Sequence, residues 1–144
     1  MTQSLTSMQS PLTEVPHSKT TFKIDIYNIL CVVAVTSGNV RDLAKAMDLS
    51  SELIEDLGDR SAAFSKLVVL PNNETAVLMI YDIDYLDHDA IQHETNHAGF
   101  YIMEYIGHDL HTHNGGDEPL IYLQSYIGTQ TRKWLKQEGI KIND

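Results

Sequence analysis

The chain has 144 residues, with 20 Asp and Glu against 10 Lys and Arg, a formal net charge of −10. That length builds one modest core, and no apolar run approaches the 18 or so residues of a membrane span. The acidity argues against nucleic acid, whose binding needs a basic footprint, so neither nucleic acid nor a membrane is an expected partner.

Residues 1–20 are rich in Ser, Thr and Pro with little apolar periodicity, and read as a flexible N-terminal arm ahead of a single domain over 21–144. The first residues lack a basic region followed by an apolar core, so no signal peptide is expected. The lone Cys31 excludes an intramolecular disulfide. It fits a small buried hydrophobe in a reducing, cytoplasmic setting.

From Thr21 to Tyr27 the apolar residues Phe22, Ile24 and Ile26 alternate, as in a half-buried strand. Ile29 to Val35 is a solid apolar run, either the same strand going deeper or a second one. Ser37-Gly38-Asn39 breaks the chain, and Asn39 is placed to cap a helix over Val40 to Met47. A second short helix is expected around Ser51 to Leu57, closed by Gly58. Phe64 to Leu70 and Thr75 to Ile83 read as strands joined by the turn Pro71-Asn72-Asn73-Glu74.

The longest predicted helix runs from Asp87 or His88 to Ile106, with Asp87 as its cap, Asp89 in its first turn and Gly107 at its end. A polar loop from His108 to Asp117 follows. Pro119 then opens a final helix carrying Leu120, Leu123, Ile127, Trp134 and Leu135, with a bend expected near Gly128. Arg132, Lys133 and Lys136 read as a solvated face toward the end of that helix. The expected fold is α+β: a small mixed or antiparallel sheet of three to four strands packed against the long helix and the C-terminal helix.

Inside the long helix lies His93-Glu94-Thr95-Asn96-His97, an H-E-x-x-H run. Histidines four apart on a helix project from one face, so both imidazoles can reach one metal ion. The glutamate beside the first is placed to take a proton from water activated by that metal. A catalytic zinc site wants a third protein ligand. The residues available are Glu118, Asp117, His108, His111 and His113. Glu118 is favoured because a helical hairpin would bring the start of the last helix beside the first. The longer metzincin pattern is absent, since its glycine position holds Phe100 and its third histidine position holds Met103.

The segment from His93 to Ile127, with Asp117-Glu118-Pro119-Leu120-Ile121-Tyr122-Leu123 following the motif, resembles small zincin-like proteins encoded by tailed bacteriophages. These share H-E-x-x-H, about twenty intervening residues and an E-P-x-x-Y-L-type helix. The resemblance covers about a quarter of the chain. It implies a gluzincin-type site binding Zn2+ through His93, His97 and Glu118, with Glu94 as the catalytic base. Many gluzincins carry an aspartate four positions after the ligand glutamate; here that position is Tyr122.

On this reading the chain hydrolyses peptide bonds in a peptide or protein substrate, in the cytoplasm of a host cell or in a virion. His108, His111, His113 and Tyr122 are the available oxyanion donors. Tyr101, Tyr105 and Tyr126 read as packing residues. The strand Thr75 to Ile83 offers an edge for an extended substrate, or else simply belongs to the core sheet. The rival reading is a non-catalytic, zinc-stabilised virion or assembly protein that meets other phage structural proteins through its arm. A further alternative, an inhibitor or host-interaction protein, rests only on the acidic charge.

Overall fold

A computed structural model describes residues 16–47, 62–108 and 117–143 of the chain. Two strands, β1 (His17–Ile24) and β2 (Ile29–Thr36), form an antiparallel hairpin. The chain reverses through a single 3₁₀ turn, Asp25–Tyr27, closed by Asn28 in the left-handed region at φ +53°. Asparagine tolerates that conformation better than most residues. Ile26 therefore does not continue the strand alternation; it sits on the turn, 81% exposed. Helix α1 (Val40–Ala46) follows, then β3 (Ala63–Val69), β4 (Thr75–Asp82), the long helix α2 (His88–Tyr105) and helix α3 (Glu118–Gln137).

The described residues thus form an α+β fold with a four-stranded mixed sheet in the order β1-β2-β4-β3. β2 and β4 pair in parallel at its centre, and β1 and β3 are antiparallel edges. Parallel central strands are covered on both faces, which explains the unbroken apolar runs of β2 and β4. Cys31, Val33 and Val35 with Val77, Met79 and Tyr81 pack toward α2 and α3. Val32 and Ala34 with Ala76, Leu78 and Ile80 pack toward α1.

Of the two readings of Thr75 to Ile83, the topology bears out the core-sheet one: β4 lies between β2 and β3 and presents no free edge for a substrate, and among the described residues the edge on that side is β3. β1 begins within the stretch read as the arm. His17 to Thr20 pair with Thr36 to Val33, and the Thr36 hydroxyl donates to the Pro16 carbonyl at 2.8 Å. Their polar, largely exposed side chains suit an edge strand and so hide it from a periodicity reading. The helix expected around Ser51 to Leu57 and residues 1–15 lie outside the described residues.

Helix α2 starts and stops where its sequence signals say. The Asp87 carboxylate accepts from the Ala90 N–H at 2.7 Å, and Gly107 takes φ +74°. Asn39 occupies the cap position of α1, but its side chain donates to the Ser37 carbonyl instead of capping. The chain end ties back to the start of α2, where the Asn143 N–H donates to the Leu86 carbonyl at 2.7 Å.

α3 runs through Gly128 as one helix, with the five expected apolar residues all buried. The close approach of the two long helices is set at Gly99. A methyl group there would lie 2.5 Å from Gln124 Cγ and 3.0 Å from Leu120 Cδ1. Gln124 is itself held, its Nε2 donating to the Asn96 carbonyl at 3.2 Å.

Two outcomes follow for stability and reactivity. Gly99→Ala, normally worth about 1 kcal/mol in favour of a helix, is expected to destabilise this protein by about 1–3 kcal/mol through overpacking. A thermal melt showing an unchanged or higher Tm would contradict that contact. Burial pushes the Cys31 thiol up to about 12. Native protein at pH 8 is therefore expected to resist a thiol reagent such as Ellman's and to react stoichiometrically once unfolded; rapid native labelling would place Cys31 elsewhere.

Candidate metal centre

Three apolar residues of α2, Ile91, Ala98 and Ile102, are fully buried against the core. With that stripe facing inward, the 100° step per residue turns His93 and His97 outward and Glu94 down toward the sheet. The His93 side chain is 68% exposed, whereas Glu94 is buried. The two imidazoles converge: Nε2 of His97 lies 3.2 Å from Nε2 of His93, with ring planes at 79°. Without a metal, one Nε2–H donates to the other, according to tautomer.

That spacing is also what a metal would require. Two nitrogens each about 2.0–2.1 Å from one tetrahedral zinc stand about 3.3 Å apart. The donor type and separation of this pair therefore fit two adjacent positions of a zinc coordination sphere.

Glu94 is held from below. Its Oε1 accepts a 2.7 Å hydrogen bond from the Ser65 hydroxyl of β3, and its Oε2 lies 3.9 Å from His93 Nε2. Tyr101, one turn beyond His97, stacks on that imidazole with centroids 6.0 Å apart and planes at 17°. The Lys66 ammonium lies 5.7 Å over the Tyr101 ring, a cation–π contact at the lip of the site. Burial first, then the charges of Glu94 and Glu104, push the Tyr101 phenol up. Behind the site, burial and then the Glu94 charge raise the Tyr81 phenol, opposed by Thr95 and Arg132.

The other residues expected at the site are placed differently. Among the described residues, no third His, Cys, Asp or Glu joins His93 and His97 in a group that could hold a metal. α2 and α3 do form the expected helical hairpin, but Leu120 and Gln124 sit opposite Gly99. Glu118, the exposed first residue of α3, therefore falls toward the C-terminal end of α2, beyond His97. Asp117 precedes it at the helix cap, also exposed. His108 follows Gly107, its N–H donating to the Met103 carbonyl at 2.9 Å. His111 and His113 lie outside the described residues. Tyr122, 71% exposed, lines a groove with Lys23 to Tyr27 at the end of β1. β1 is the opposite edge of the sheet from β3, about 14 Å away at the usual strand spacing. Tyr122 is thus not brought to the histidine pair.

Ser65 and the Lys66–Tyr101 pair were not singled out from sequence as parts of a site. For Ser65 a signal existed: Ala63, Ser65 and Leu67 share the helix-facing side of β3, and a serine there interrupts an apolar alternation. For Tyr101 the signal was its i+4 spacing from His97.

The chain matches no known protein family, no curated protein and no solved structure.

The pair predicts its own metal behaviour. Wild-type protein titrated with Zn2+ or Co2+ is expected to bind with a higher affinity than either His93→Ala or His97→Ala by about tenfold or more. Identical binding by all three proteins would remove the pair from the metal site.

Proposed function

We propose that this chain is a zinc-dependent peptidase of the H-E-x-x-H type, with His93 and His97 as metal ligands and Glu94 as general base. The observation that carries the reading is the pair of Nε2 atoms 3.2 Å apart, with the carboxylate of the buried Glu94 tied through one oxygen to Ser65 and its other oxygen 3.9 Å from His93 Nε2. Zinc, when bound, supplies the Lewis acidity that makes water a nucleophile at neutral pH.

The chain's own residues supply the rest. Glu94 accepts the proton of the attacking water and returns it to the leaving amine. Tyr101 fixes the His97 ring by stacking on it. β3, whose outer backbone groups face away from β4, offers an edge along which an extended peptide adds as a further strand, directly beside the strand position that holds Glu94. The resemblance assigns the third ligand to Glu118; the reading rests on the two histidines and Glu94.

The competing reading is a non-catalytic, zinc-stabilised phage assembly protein. A metal staple stabilises by joining separate elements. Among the described residues both gathered ligands come from one turn of α2, which an ion bound to them alone would link only to itself. The clamped Glu94 also has no task in a purely structural site.

Glu94→Gln separates the two. The enzyme reading expects the variant to keep metal content and Tm while hydrolysis of a mixed peptide library falls by about 100-fold or more. Hydrolysis that is absent from metal-loaded wild type, or equal in wild type and variant, would overturn it.

A further inference from the structure

Glu94 would lie within reach of any metal carried by His93 and His97, and the geometry shows why it is not simply a third ligand. A carboxylate oxygen and an imidazole nitrogen bound to one zinc stand about 3.3 Å apart, by the same reasoning that places two imidazoles at that distance. Glu94 Oε2 is 3.9 Å from His93 Nε2, longer than that separation. What restrains the carboxylate is Ser65: Oε1 accepts from its hydroxyl at 2.7 Å, with both residues buried and twenty-nine positions apart in the chain.

We infer that Ser65 is a positioning residue whose hydrogen bond keeps the Glu94 carboxylate aimed at the metal position but off the metal. The inference rests on His93 and His97 being metal ligands. A carboxylate with two equivalent oxygens and rotatable bonds beside a divalent cation coordinates it unless restrained, and a coordinating carboxylate no longer accepts a proton. The hydroxyl of Ser65 occupies one oxygen and fixes the rotation of the other. It comes from a sheet strand and not from the helix that carries the ligands. Ser65 touches no reacting atom; it acts through Glu94.

The test uses the full chain with Co2+ as the probe, following its visible absorption, on wild type, Glu94→Gln, Ser65→Ala, Ser65→Thr and the double variant Ser65→Ala/Glu94→Gln. Wild type, Glu94→Gln and Ser65→Thr are expected to bind within about twofold of one another, since Glu94 is not a ligand while a hydroxyl holds it. Ser65→Ala is expected to bind about tenfold more tightly, with an altered absorption band from the added ligand, and both changes are expected to vanish in the double variant. If Ser65→Ala does not fold, Ser65→Val, which matches the shape of the threonine variant and suits a strand, removes the same hydroxyl and takes its place. A Ser65→Ala protein that binds and absorbs like wild type overturns the inference and leaves the metal reading standing. A change that persists in the double variant overturns it as well, because the effect then does not pass through Glu94. Wild type that takes up no Co2+ overturns the metal reading, and this inference with it.

Discussion

The site depends on how α2 lies on the sheet. Ile91, Ala98 and Ile102 commit one face of the helix to the core, and burying side chains of that size is worth roughly 1.5–3 kcal/mol for each large one. With the face fixed, the remaining directions are no longer free. His93 and His97 must look outward one above the other, Glu94 must look toward β3, and Thr95 must look toward α3. A rotation of the helix by one residue would bury a histidine and expose an isoleucine, so hydrophobic packing enforces the geometry of the polar groups. The start of α2 is pinned as well, by the Asp87 cap and by the hydrogen bond from the Asn143 N–H to the Leu86 carbonyl just before it.

Much of this was legible in the sequence because it is local. The caps of α2, the i, i+4 histidines and the buried stripe of α3 follow from spacing over a few residues. What was not legible depends on distant parts of the chain meeting. The Ser65–Glu94 contact spans twenty-nine positions, and nothing near Glu94 announces it. The relative slide of α2 and α3 is set by Gly99 receiving Leu120 and Gln124, so a hairpin expected from sequence arrived with Glu118 out of line with His97. The strand order was the third case. The continuous apolar run Ala76 to Tyr81 carried the pattern of a central strand, but only the parallel pairing with β2 shows that, among the described residues, the sheet edge beside α2 belongs to β3.

Glu94 is the residue that stability alone does not explain. One carboxylate oxygen accepts from the Ser65 hydroxyl of β3, and the other is directed toward the histidine pair, 3.9 Å from His93 Nε2. On the proposed reading that second oxygen has a task there, as the acceptor of a proton from water.

The same reasoning orders the roles of the three polar elements. The histidines are exposed and cost little to place, and a helical turn holds their nitrogens at the spacing a metal needs before any metal arrives. Glu94 sits on the same helix, beside His93, and its carboxylate is restrained from a strand by the Ser65 hydroxyl. On the proposed reading, a base that must stay off the metal is best restrained by a different element from the one that carries the ligands. The division of labour between α2, which carries the nitrogens, and β3, which carries the hydroxyl, meets that requirement. It also puts the restraint on the strand whose free edge would receive an extended peptide, so that substrate binding along β3 would bear directly on the group that fixes the base.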